Sequence, residues 1–275
     1  MTTTKRKQLK QIGLCFILVL LCRTVWAQHE GYLANRIKPG DVMYIDGQGQ
    51  ERFVDYREWD KNHPLGEVVG VVFYSYYGVA PYALDDQPGW HGWLMAPDES
   101  GLLAWAPQNT ACYNRCVASY AVEGVETPYN PNPSNKHLAM ADTCGWQNTY
   151  RLLAFLYEDQ HTSLSTSTSP AFHYLFATKN GVTDFSVKPT MERTSWFMPS
   201  YGMLRMMYGQ LGCLNNALLA CGGTLMDTSK CWYSSTEFGN SDPRVVWSLN
   251  GYGYSYTNTG WFKSDARTVR AVRIF

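Results

Sequence analysis

Hydrophobic and polar positions change period several times along this chain. In "DVMYIDGQGQERFVDY", residues 41 to 56, two short β-rich runs flank turn signals at Gly47 and Gly49, which predicts a hairpin. The run Val68 to Tyr77 is continuously β-branched and aromatic, too short and too β-rich for a helix, and predicts a buried strand. "HGWLMA" follows the turn residues Asp85, Asp86, Pro88 and Gly89 and predicts a second strand. From Gln108 to His137 the chain reads as loop, because Pro128, Pro131 and Pro133 lack the amide donors that sheets and helix interiors need. "QNTYRLLAFLYED" then spaces Leu152, Leu153, Phe155 and Leu156 as one helix would, and the Ser/Thr tract at 162 to 169 reads as an exposed loop. "SYGMLRMMYG", with Ser200 as its N-cap, and "LNNALLACGG", stopping at Gly222-Gly223, predict two consecutive helices. "CWYSSTE", "RVVWSLNGYGYSY" and "RTVRAVRIF" return the chain to β-structure. The order predicts an α+β protein.

The first 27 residues follow another logic. Lys5, Arg6, Lys7 and Lys10 precede an eleven-residue apolar run from Ile12 to Cys22, and Val25-Trp26-Ala27 ends in a small residue. This reads as a secretory signal peptide, since a membrane-spanning helix takes about 20 apolar residues. Leu21, bulky and next to Cys22, argues against lipid attachment there. The expected organisation is a signal peptide over 1–27, a lead-in segment over 28–65 and one main domain over 66–275, with no integral membrane segment. The implied location is outside the cytoplasm, in the periplasm, at the cell surface or beyond it.

Composition narrows the function. Of 275 residues, 45% are apolar, 17% charged and 15% aromatic, including ten Trp and nineteen Tyr, so a real core is expected. Without residues 1–27, 18 Lys and Arg face 23 Asp and Glu, a net charge of about −5. That balance argues against nucleic acid, which needs a concentrated basic surface. Six cysteines remain, Cys112, Cys116, Cys144, Cys213, Cys221 and Cys231. In an exported chain they point to disulfides or buried thiols; zinc-type and Cys-x-x-Cys spacings are absent.

The most distinctive motif is "NGYGYSYTNTGW", residues 250 to 261. In a strand, alternate side chains share a face, so Tyr252, Tyr254 and Tyr256 line one side and Asn250 and Asn258 extend the row. An ordinary half-buried sheet face and a ligand-facing ladder are both compatible with this spacing. The hydroxyls, the flanking Asn and the small residues on the opposite side favour exposure. Trp247, Trp261 and Lys263 are its expected neighbours. Trp196, Trp232 and the arginines 267, 270 and 273 read as structural. No Gly-x-Ser-x-Gly, His-Glu-x-x-His or phosphate-cradling loop is present, and no cofactor or metal is implied.

"GVVFY" at 70–74, "HGWLMA", "WFMPSYGML" at 196–204, "LNNALLACGGT" at 214–224, "WYSSTE" at 232–237, "VVW" at 245–247 and "VRAVRIF" at 269–275 together resemble the C-terminal domain family of collagen-like adhesins, over about residues 66 to 275. The resemblance implies a C-type-lectin-like fold, related to formylglycine-generating enzymes. An antiparallel sheet then has its first and last strands paired, helices lie between them, and Gly70 to Tyr74 lies beside Val269 to Phe275. Cys221 and the 108–137 insertion depart from the family pattern, and the calcium signatures of sugar-binding C-type lectins are missing. The implied function is a non-enzymatic exported adhesion domain that recognises a glycan or a surface protein through residues 237 to 265. Three alternatives stand beside it. One is a diversity-generating retroelement target with a variable 237–265 segment. Another is a cysteine-dependent oxidoreductase using Cys221 and Cys231. The third is a structural subunit of a homo-oligomeric surface assembly.

Overall fold

The computed structural model describes residues 36–62, 64–78, 89–117, 120, 136–192, 194–238, 242–250 and 260–275. The signal segment 1–27 and Tyr252, Tyr254, Tyr256 and Asn258 lie outside these residues. In chain order the strands are β1 (Val42–Asp46), β2 (Glu51–Val54), β3 (Gly66–Gly78), β4 (Gly89–Met95) and β5 (Leu103–Ala104). The helices follow as α1 (Ala111–Asn114), α2 (Lys136–Ala141), α3 (Gly145–Ala154), α4 (Pro170–Tyr174), α5 (Tyr201–Gly209) and α6 (Leu211–Cys221). The chain closes with β6 (Cys231–Glu237), β7 (Val245–Asn250), β8 (Gly260–Phe262), β9 (Ala266–Arg267) and β10 (Val272–Ile274).

The α+β composition agrees with the sequence pattern. β1 and β2 form the expected hairpin, with Val42 opposite Val54 and Ile45 opposite Glu51. β1 also pairs with β3, so the 28–65 segment contributes two strands to the sheet that continues at Gly66. That antiparallel sheet has the order β10-β4-β3-β1-β2. The first and last strands of the 66–275 stretch are therefore not partners. β4 lies between β3 and β10, with Val71 opposite Met95 on one side and Val272 opposite Met95 on the other. The reason is that β1 takes one edge of β3 and the β4 hairpin takes the other, leaving β10 only the free edge of β4. Gly92 makes that join close: a Cβ there would lie 2.0 Å from the Tyr74 carbonyl oxygen and 2.9 Å from the Phe275 ring.

A second sheet, β6-β7-β8, stands apart from the first, and α5 packs on β3 of one sheet and on β6 and β7 of the other. The core lies between them, built from Val71, Phe73 and Met95, the helical Leu152, Phe172, Leu204 and Leu218, and Trp105, Trp232 and Val246. Ser200 caps α5 as expected, accepting from the Met203 amide, and α6 stops at Gly222 in the left-handed region (φ 78°), which glycine adopts without a Cβ penalty.

The Ser/Thr tract departs from its expectation. It turns, but Leu164 and Ser169 are buried, and Pro170, preset for a first helical position, opens α4. α3 and α4 end alike, twenty residues apart, each widening into a π-helical turn, Phe155–Asp159 and Leu175–Lys179. Each is closed by matching amide bonds, Thr162 to the Leu156 carbonyl and Val182 to the Phe176 carbonyl, both 2.9 Å.

Candidate ligand-binding surface

The stems of the tyrosine-bearing segment are well placed. β7 carries Trp247 opposite Gly260, Val246 opposite Trp261 and Val245 opposite Phe262, so β7 and β8 are the two arms of a hairpin that residues 251–259 connect. Asn250 ends β7, half-buried, opposite Cys231. Trp261 is half-buried, with the Arg267 guanidinium 4.1 Å from its ring centre. That distance gives a cation–π contact. Phe262 is exposed, and Arg244 lies 5.7 Å from its ring while gripping Asp242 through Nε at 2.8 Å and Nη2 at 2.9 Å. Asn250 and Trp261 thus stand at the root of the expected surface.

Lys263 does not. It is completely buried, as is Glu237, and the two form an ion pair. The ammonium also donates to the Cys112 carbonyl at 2.8 Å and the Arg115 carbonyl at 2.9 Å, and lies 4.5 Å from the centre of the Trp105 ring. Three acceptors use all three ammonium protons, which leaves none for a ligand. The expectation that Lys263 faces a ligand is corrected: it locks β6 and the chain after β8 to α1. Sequence spacing could not show this, because the partners come from residues 112, 115 and 237.

Two other buried polar groups tie loops to the core. Asp142 accepts from the Cys144 amide at 2.8 Å, from Asn148 Nδ2 at 3.3 Å and from the Thr236 hydroxyl at 2.5 Å. Burial pushes its carboxyl above the usual range, against the pull of these donors. Arg270, also fully buried, donates to Glu99 at 2.8 Å and to the carbonyls of Ala96 at 3.0 Å and Thr224 at 2.8 Å. Glu99 is shared with Lys230 and with the Trp232 indole at 3.2 Å. Arg273 pairs with Glu51 at 2.6 Å. The terminal arginines are structural, as the sequence suggested, and Trp232 is core while Trp196 is partly buried against it.

All six cysteines are free thiols, so disulfides, one of the two states expected of them, are not formed. Burial pushes Cys112 up to about 12 and Cys116, Cys144 and Cys231 up to about 11, with Cys213 and Cys221 shifted the same way. Thiols so shifted are protonated at neutral pH and are poor nucleophiles and metal ligands. Among the described residues no group of three or more His, Cys, Asp or Glu side chains gathers as a metal site.

A second aromatic surface escaped the sequence reading. Val68 to Tyr77 was expected to be buried throughout, but burial ends at Phe73; Tyr74 and Tyr76 are half-buried and Tyr77 is exposed. A bulge between Val72 and Tyr74 shifts the register, after which Tyr74 lies opposite Trp93 and Tyr76 opposite His91. The rings touch: Tyr74 and Trp93 stack at 4.7 Å, Tyr74 and Tyr76 lie at 6.1 Å, and Tyr76 and His91 at 5.7 Å. The available signal was the same two-residue period as in the 252–256 tyrosines, hidden inside a longer hydrophobic run.

No protein-family model matches the chain. No curated protein matches it either. Its fold is similar to a crystal structure described as a fimbrial protein from Bacteroides ovatus ATCC 8483, with a TM-score of 0.58 at 18% identity. The match covers 87% of this chain and 49% of that one, so this chain spans about half the length of its structural neighbour. At this identity the likeness is one of fold. Among the described residues no helix is long and apolar enough to cross a membrane.

Proposed function

We propose that this protein is an exported, non-enzymatic adhesion module that binds a glycan or a surface protein through its C-terminal hairpin, residues 237 to 265. The observation that carries the reading is the hairpin stem. β7 and β8 stand on a sheet whose base is fixed by the buried Glu237–Lys263 pair, and half-buried Trp261 stands at the mouth of the tyrosine-rich connection. Binding residues commonly sit on connections held by such rigid scaffolds, and tyrosines there give large contact surface at low entropic cost. The fold shared with a protein described as fimbrial supports a surface setting. Membership of the collagen-like-adhesin C-terminal family, and a C-type-lectin-like ancestry, belong to the same proposal and rest on the motif order given above. The upward-shifted thiols favour a binding role over the cysteine-dependent oxidoreductase.

The test is a glycan and surface-protein array probed with the purified protein and with a Tyr252/Tyr254/Tyr256→Ala variant of verified fold. Loss of binding in the variant, with Trp261→Ala weakening it further, is the expected result. Binding that survives the triple replacement removes the hairpin from the mechanism.

A further inference from the structure

β3 is longer than its neighbours. Thirteen residues at about 3.3 Å each extend roughly 43 Å. β1 accompanies this strand only as far as Val72, where the Gly40 amide reaches the Val72 carbonyl at 2.8 Å. On the far side of β4, Phe275 reaches Gly92 through backbone bonds of 3.2 and 3.3 Å, and no described residue pairs with Gly89–His91 from that side. Tyr76–Gly78 and Gly89–His91 therefore form a two-stranded ribbon that no third described strand accompanies.

One face of this ribbon continues the core face. Tyr74 and Trp93 pack at the edge of the core, and Tyr76 and His91 carry the row beyond it. Neither tyrosine hydroxyl nor the Trp93 indole N–H makes a hydrogen bond to a described residue, and His91 Nε2 is enclosed without a partner. Burial raises the Tyr76 phenol, which keeps it neutral in the physiological range. No Asp, Glu, Lys or Arg occurs from Val68 to Gly78 or from Gly89 to Pro97. The face thus combines flat rings with unpartnered polar atoms, and neither strand brings an Asp, Glu, Lys or Arg to it.

This combination selects its occupant. An ionic ligand would lose hydration without gaining a carboxylate, ammonium or guanidinium partner from these strands, and a wholly apolar one would leave the two phenols and the indole N–H buried and unpaired, which is costly. A pyranose ring offers an apolar C–H face for the rings and hydroxyls that both donate and accept. We propose that the Tyr74, Tyr76, His91 and Trp93 face is a second binding site, for a neutral pyranose within a glycan chain, separate from the C-terminal hairpin and independent of the function proposed for it. The sugar's C–H face lies on the Tyr74–Trp93 slab and Tyr76, and its hydroxyls meet the two phenols and the indole N–H, with His91 packed behind Tyr76.

The full-length purified protein is titrated with neutral gluco-, manno- and galacto-oligosaccharides, read by Trp fluorescence and calorimetry, beside Tyr76→Ala, His91→Gln and the Tyr252/Tyr254/Tyr256→Ala variant. Urea midpoints confirm folding, and sedimentation reports self-association. The expected result is saturable binding of a neutral glycan that Tyr76→Ala weakens about tenfold or more. His91→Gln weakens it less, the hairpin variant retains it, and raising NaCl from about 0.05 to 0.5 M leaves it unchanged, because no charge is screened. Absence of neutral-glycan binding overturns the proposal, as does binding that persists in Tyr76→Ala. Self-association lost in Tyr76→Ala without any glycan binding assigns the face to a second copy of the chain instead.

Discussion

In β6, Ser234, Ser235, Thr236 and Glu237 are more deeply buried than Tyr74, Tyr76 and Tyr77 of β3, although hydropathy ranks them the other way. What differs is the number of layers over each strand. β6 lies between β7 on one side and the Thr268 segment on the other, with α3 and α5 packed across it. Every polar group it brings inside is answered: Thr236 by Asp142 and the Tyr201 amide, Glu237 by Lys263, and Ser234 by the Trp247 carbonyl. Among the described residues the distal half of β3 has only β4 beside it, and its rings remain partly in water. Burial follows coverage, and residue type determines only what that coverage costs or returns.

The sharpest way to break the contrast is within β3. Phe73→Ala should destabilise the protein by about 3–5 kcal/mol, since it empties a fully buried aromatic site, whereas Tyr76→Ala, three residues along, should stay within about 1 kcal/mol. Urea denaturation of both variants measures this, and equal losses would mean that the ribbon is as covered as the core.

A loss of similar size is expected at the buried pair. Lys263→Met removes the buried counter-charge of Glu237, costing about 3–5 kcal/mol, while the double variant Lys263→Met/Glu237→Leu should recover most of that. A double variant no better than the single would show that the pair contributes more than mutual neutralisation.

Thr236→Val removes the donor to Asp142 and the acceptor for the Tyr201 amide, both buried, and should cost about 1–3 kcal/mol in the same assay. The smallest effect concerns pH. Burial raises the Asp142 carboxyl in the folded state, so the folded protein binds more protons than the unfolded chain just above the unfolded value of 3.8. Stability from this group therefore falls as pH rises from there through the raised folded value, and Asp142→Asn should flatten that part of the stability–pH curve. A curve parallel to the unaltered protein's would assign the slope to other carboxylates.

Local rules located much of this fold in advance. Gly47 and Gly49 marked the first hairpin, Ser200 the start of α5 and Gly222 the end of α6, because turns and caps depend on residues next to one another. The same rules could not see the bulge at Phe73, the helix opened by Pro170 inside a Ser/Thr-rich stretch, or the placement of β4 between β3 and β10. Those depend on which strand reaches an open edge first and on what covers the tract from outside.

For the candidate site the division is similar. The alternation of Tyr252, Tyr254 and Tyr256 is fixed by sequence, and the period of two that carries Tyr74, Tyr76, His91 and Trp93 was present as well, though masked by the apolar run around it. Only the tertiary structure decided that Lys263 turns inward to Glu237 and the carbonyls of Cys112 and Arg115, and that the second row leaves the core at Tyr74. The physical reason is range. Periodicity and capping act over a few residues, whereas the partners of a buried charge and the limit of a core are set by segments 26 to 151 positions apart in the chain.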